Sequence, residues 1–114
     1  MALYHRDVYL PPTLKLPNGA FCLYYSKHAE DEAKRDRYGP IPLPAYISTN
    51  NADVIEVETN NYEVVKVVYR QRLDEKRDIC LAVLIGRKWT VKTVWINERN
   101  DTHKTLQVHK YARS

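Results

Sequence analysis

The sequence predicts an α+β domain: one or two N-terminal helices packed on a four-stranded antiparallel meander sheet, closed by a C-terminal return segment. Three observations carry this expectation. A stretch rich in Ala, Glu, Lys and Arg, Lys27 to Tyr38, lies between a capping serine and Gly39-Pro40. Four β-rich runs follow between Asp53 and Ile96, with short turn clusters between them. Helix before sheet, without strand–helix alternation, is the pattern of helices gathered on one face of an antiparallel sheet.

The first element is an arm, residues 1–19. Pro11, Pro12 and Pro17 forbid a helix around them, and Asn18-Gly19 marks a turn. Leu3, Tyr4, Val8, Tyr9, Leu10, Leu14 and Leu16 make the arm too apolar for a free tail, so part of it is expected to pack on the domain or on a partner. The remaining residues, 20–114, suit a single domain. Ala20–Tyr25 is a short apolar run. Ser26 then caps the helix over 27–38, whose small residues Ala29 and Ala33 are placed to lie against a sheet. A second, shorter helical turn is expected around Leu43–Ser48, confined by Pro40, Pro42 and Pro44.

Asp53–Thr59 is the first meander strand, with Asn60-Asn61 as its hairpin turn. Tyr62–Leu73 is the second, rich in valine. Asp74-Glu75-Lys76-Arg77 turns the chain into Asp78–Ile85, whose near-continuous apolar character suits a sheet centre. Gly86-Arg87 turns it again into Lys88–Ile96. On the second strand one face carries Val65, Val67 and Tyr69, and the other mixes Val64 and Val68 with Lys66, Arg70 and Arg72. Such a mixed face is either a solvated surface or a site that holds an anion.

Composition excludes several classes. No run approaches about 18 apolar residues, so no membrane span is expected. Residues 1–12 lack an apolar signal-peptide core, and a cytoplasmic protein is expected. Cys22 and Cys80 each sit in an apolar run without zinc-ligand spacing, and buried, reduced thiols are the simplest reading. Glycine occurs only at 19, 39 and 86, which rules out a glycine-rich phosphate cradle. No cofactor is implied. The net charge of +4 is compatible with nucleic-acid phosphates without being diagnostic of them. The nine tyrosines can stack on bases or serve half-buried sheet faces.

The remaining chemistry lies in histidines and cations. His28 opens the helix, where the dipole favours a neutral ring able to accept a proton. The plain reading is a solvated first-turn residue. His103, Lys104 and Thr105 follow a turn cluster and offer an acid/base group, a cation and a hydroxyl together. A solvated loop is the alternative. His103 and His109 as a metal pair lack a third ligand beyond Asp101. Lys66 and Arg70 are placed to clamp a phosphate, or else to balance Glu56, Glu58 or Glu63. Two histidines and a cation suffice for metal-free RNA cleavage, because the attacking 2′-hydroxyl belongs to the substrate.

The segment YSKHAEDEAKRDRYGPI and the run VVKVVYRQRLDEKRDICLAVLIGRKWTVKTVWINERNDTHKTLQVHKY resemble the barnase–EndoU–colicin–RelE (BECR) group of small metal-independent RNases, particularly its phage and bacterial toxin-like members. The resemblance covers about residues 20–111. It implies His28 over the sheet, Lys66 and Arg70 directed at bound RNA, and Thr93 on the next strand facing the site. It further implies His103 and Thr105 closing the site, and Tyr111 contacting a base or phosphate. The expectation is therefore a toxin-like endoribonuclease. Its catalytic residues would be His103, His28, Lys66, Arg70 and Thr105, with Lys104, Thr93 and Tyr111 binding substrate. The RNA would be tRNA, mRNA or ribosome-associated. The competing expectation is a non-catalytic phage-type regulator that binds RNA or a host protein, with residues 1–19 as a docking arm for a partner or inhibitor. A merely basic interaction domain is the third reading.

Overall fold

The computed structural model describes the backbone of residues 2–5 and all of residues 15–100. Seven strands and one helix make up the described chain: β1 (Ala2–His5), β2 (Ala20–Tyr25), α1 (Lys27–Lys34), β3 (Tyr46–Ser48), β4 (Asp53–Asn60), β5 (Glu63–Arg72), β6 (Arg77–Leu84) and β7 (Trp89–Glu98). The strands form one mixed sheet in the order β1-β4-β5-β6-β7-β2-β3, curved as a half-barrel.

This corrects the expected α+β fold of helices on a four-stranded antiparallel meander. The run from β4 to β7 is antiparallel throughout, with strands close to the expected spans. The sheet continues beyond it on both sides. β2 pairs parallel with β7, through Leu23↔Trp89 to Tyr25↔Val91, and β3 pairs antiparallel with β2. β1 pairs antiparallel with β4. The reason lies in Ala20–Tyr25, which alternates: Phe21, Leu23 and Tyr25 turn toward the core while Ala20, Cys22 and Tyr24 are exposed. A period of two commits that run to a strand, and the edge of β7 accepts it.

The helix content is also smaller than expected. Ser26 caps α1, its Oγ accepting from the Ala29 N–H at 3.1 Å. The helix stops at Lys34 rather than Tyr38. Asp36 ends it: its carboxylate accepts from the Tyr38 N–H at 3.0 Å, and its carbonyl accepts from the Gly39 N–H at 2.9 Å. That local turn competes with helix continuation, and Gly39 takes the positive φ of 96° that completes it. The second helical turn is absent. Three prolines hold residues 40–45 out of helix, the Leu23 N–H donates to Ala45 O, and Tyr46–Ser48 is strand. A 3-10 turn follows only at Thr49–Asn51. The β4–β5 hairpin turns on Asn61 and Tyr62, at φ 52° and 65°, one residue later than expected. Two positive φ values in succession define the hairpin turn whose twist matches the strands.

The main core lies on the face of the sheet that α1 covers. Ala29 and Ala33 meet Val67, Tyr69, Ile79, Leu81, Val83, Val91, Val94 and Ile96, closed at the β2 side by Leu23, Ile47 and Trp89. Phe21 stacks on Trp89 with centroids 3.8 Å apart, and Tyr69 lies 6.1 Å from Trp89 on a near-parallel plane. The opposite face holds a smaller cluster, Ile55, Val68, Cys80 and Ala82, with Trp95 packed against it. Cys80 is buried there, and desolvation pushes its thiol up to about 12. Cys22 is exposed, against the expectation of two buried thiols, because it stands on the outward side of β2.

Candidate functional site

Strand alternation sorts the expected site residues. Val67 and Tyr69 enter the main core, so Lys66 and Arg70 project from the opposite face of β5. Val94 enters the same core, so Thr93 also stands on that opposite face. His28 does not join them. It lies on α1, across the sheet, with a side chain 71% exposed and Nε2 3.4 Å from Glu32. The cavity it lines contains α1 residues and the outer edge of β7, and neither Lys66 nor Arg70. Glu32 is occupied there: its Oε1 accepts from the Val94 N–H at 3.2 Å, where β7 has run past its pairing with β2. His103, Lys104, Thr105 and Tyr111, with the His103–His109 pair, lie outside the described residues.

Lys66 follows its plain reading. It faces Glu58 across the β4–β5 pair, with Nζ 3.8 Å from Oε1. Arg70 does not, since its partner is none of the three glutamates. Its Nε donates to Asp78 Oδ2 at 2.8 Å, and its Nη2 donates to the carbonyls of Glu98 and Arg99 at 3.1 and 3.3 Å. Asp78 also receives Arg99, whose Nη2 lies 3.2 Å from Oδ1. Arg99 Nη2 donates further to Asp74 O. This lock ties the ends of β5, β6 and β7 together. Its signal in the sequence was a cation on β5 and an aspartate opening β6, which becomes readable only once the register is known: Asp78 pairs with Arg72, one step of two residues beyond Arg70 on the same face, so Arg70 reaches it diagonally.

Toward the other end of the same face lies a different surface. Residues paired in register share a face, so Tyr24, Thr90, Leu84, Lys66 and Glu58 form a row crossing β2, β7, β6, β5 and β4, and one step of two residues back along β2 the pair Cys22 and Tyr46 extends it onto β3. Tyr46 is 63% exposed, Tyr24 49% and Leu84 39%. Lys88 sets its Nζ 5.1 Å from the Tyr24 ring centroid, in cation–π range. Lys92, the residue inserted by the bulge opposite Ala82 and Val83, is exposed as well. Two open aromatic rings and three lysines on this side of the sheet meet one carboxylate in the row, Glu58, which Lys66 already engages. The sequence reading missed Tyr24, Tyr46 and Lys88. The alternation in Ala20–Tyr25 was the signal that could have found the first.

No family model, curated protein or solved structure matches the chain. Among the described residues, no helix is long and apolar enough to cross a membrane.

Proposed function

We propose that the protein binds single-stranded RNA across the row that contains Tyr46, Tyr24 and Lys66. The observation that carries this reading is the pair of exposed tyrosines on an open sheet face bordered by Lys88 and Lys92. Large apolar rings held in water at the sheet surface gain by stacking on bases. Every base has such a face, so the contact tolerates sequence, and lysines beside the rings meet the phosphates. An A-form duplex hides its base faces and would leave the rings unused.

The test is binding of labelled oligoribonucleotides by fluorescence anisotropy at physiological salt. Tyr24→Ala and Tyr46→Ala should each weaken single-strand binding by about 1–3 kcal/mol. Lys88→Ala should lessen the dependence of log K on log salt by roughly 0.7. Equal affinity for duplex and single strand, or full affinity in the tyrosine variants, would sink the proposal.

Metal-free cleavage of the bound RNA is the stronger form of this reading. It rests on His103 with Thr105 as the acid/base and oxyanion groups, and on Lys66, Arg70 and Thr93, which share the face of the row. His28 stands apart from these residues, on α1 beside Glu32, so this form of the reading leans on His103. Under the catalytic form His103→Ala abolishes cleavage and keeps binding. A regulator that docks on a host protein through residues 1–19 would keep its effect in His103→Ala and lose it on deletion of the arm.

A further inference from the structure

A second polar surface lies at the opposite end of the face from the tyrosines, where β4, β5, β6 and β7 bring their ends together. A cavity of about 370 Å³ opens there, with Arg70, Arg72, Arg99, Asn50, Asn51 and Gln71 on its walls. We propose that this cavity binds a phosphate group.

Three observations support it. First, the charge is favourable. Three guanidinium groups face two carboxylates, Asp53 and Asp78, and Asp78 is already spent on Arg70 at one oxygen and Arg99 at the other. Asp53 has an interaction of its own. The balance of formal charge on the wall is positive. Second, Arg70 is pre-positioned. Its side chain is 9% exposed. Among the described residues it donates through Nε and Nη2, to Asp78 and to two carbonyls. A guanidinium held on those two nitrogens keeps the Nη1 edge of its fork in a fixed direction, and little entropy remains to be lost when an oxyanion arrives. Third, Arg99 Nε is buried with no hydrogen-bond partner among the described residues. A buried charged donor left unmade is costly, and because Arg99 is part of the cavity wall, a small rotation of its side chain would let an oxyanion there accept from it and remove that cost. The side-chain amides of Asn50, Asn51 and Gln71 supply neutral donors from the remaining wall.

The fit is to a compact tetrahedral oxyanion. Several guanidinium groups and side-chain amides lining one cavity suit oxygens that point in several directions. A phosphate can come from two sources, the internal phosphodiester of a nucleic acid or a terminal phosphate monoester. The cavity stands on its own geometry and does not require the tyrosine row to bind RNA. If both operate, one strand can join them. Lys66 and Arg70 are four residues apart on β5, roughly 13 Å at the strand rise.

Titration of the intact protein with inorganic phosphate, followed by the guanidinium Nε–H resonances in NMR, tests the site. Saturable shifts of Arg99 and Arg72 are expected. Arg72→Met removes an exposed guanidinium outside the Arg70–Asp78 lock, and should weaken phosphate binding roughly 10- to 100-fold without changing the fold. Arg99→Lys keeps the charge, removes the partnerless Nε and should weaken it too. If Arg99→Lys does not fold, Arg72→Met decides. No saturable shift in wild type up to tens of millimolar phosphate, or unchanged affinity in Arg72→Met, would overturn the proposal. Oligoribonucleotides of one sequence with 5′-phosphate or 5′-hydroxyl ends separate the sources. A preference for the phosphorylated end that disappears in Arg72→Met assigns a terminal monoester, and equal binding that weakens in Arg72→Met assigns the backbone. Tyr24→Ala should leave inorganic phosphate binding intact, so failure of the tyrosine row and failure of this site are told apart.

Discussion

The two faces of this sheet solve the same packing problem with different chemistry. The face under α1 is dry: Leu81, Val67 and Val91 are fully excluded from solvent, and the helix presents only Ala29 and Ala33 to them. Small residues let the helix approach closely and leave no polar atom to satisfy. The other face is built from charges. Its central residues Val68, Cys80 and Ala82 are buried, yet beside them Arg70 and Asp78 form an ion pair that is itself largely removed from water. An apolar contact tolerates small shifts, whereas a buried ion pair demands its partner. The first face should therefore lose stability gradually with each methylene removed, and the second should fail when one member of the lock is deleted.

The largest effects test that contrast directly. Arg70→Ala should cost about 3–5 kcal/mol, since it leaves Asp78 partly buried with only Arg99 to answer it. Leu81→Ala should cost about 2–5 kcal/mol, as the transfer and cavity terms of a filled core require. Urea unfolding measures both. The decisive third point is Leu81→Met, which keeps volume and should cost under about 1.5 kcal/mol, set beside Arg70→Lys, which keeps charge but loses the fork that serves one carboxylate and two carbonyls. If Arg70→Lys is as mild as Leu81→Met, the charged face is an ordinary solvated surface and the contrast is broken.

A smaller effect sits inside the dry face, where one group breaks its rule. Tyr69 carries a buried hydroxyl with no hydrogen-bond partner among the described residues, and desolvation pushes its pKa up to about 12. The folded value is raised above the unfolded one. Its contribution to stability is therefore full below about pH 10 and is lost as pH rises through about 12. Tyr69→Phe keeps the near-parallel ring beside Trp89 and removes the hydroxyl. It should raise stability by about 1 kcal/mol at neutral pH and flatten the alkaline decline. A loss of stability at pH 7 would mean that the hydroxyl is bonded.

How far the sequence could be read follows the same division. The β4–β7 meander was legible because valine-rich runs and charged turns are local signals. The Ser26 cap was legible for the same reason. What escaped depended on distant partners. Ala20–Tyr25 is a strand because the edge of β7 receives it, and nothing within the run names that edge. Tyr46–Ser48 is strand rather than helix because β2 lies alongside, a pairing invisible until β2 is recognised. In the candidate site, Lys66 and Arg70 looked equivalent, two cations on one strand face. The structure separates them: Lys66 meets a cross-strand glutamate at the surface, while Arg70 closes on Asp78 and two carbonyls. Residue type was readable, and burial was not.

The smallest expected effect lies at the rim of the charged face, in the β5–β6 turn. Asp74 gathers the Lys76 and Arg77 N–H groups at 2.9 and 2.8 Å on Oδ1, and the Arg77 side chain at 2.8 Å on Oδ2. The Arg77 side chain first, and then the Lys76 amide, hold its carboxyl down at about 2, against an ordinary 3.8. The folded pKa is depressed, so its contribution is present above about pH 4 and is lost as pH falls through about 2. Asp74→Asn keeps an oxygen for the two amides and removes the charge. The turn is exposed, and water and salt screen the pair, so the change at pH 7 should be slight. Between pH 4 and 2 the variant's urea midpoint should fall less steeply than that of wild type, and added salt should narrow the difference. A variant curve parallel to wild type through that window would show that the amides alone hold the turn. The charged rim would then contribute nothing beyond backbone geometry, and the contrast between the faces would rest on the Arg70–Asp78–Arg99 lock.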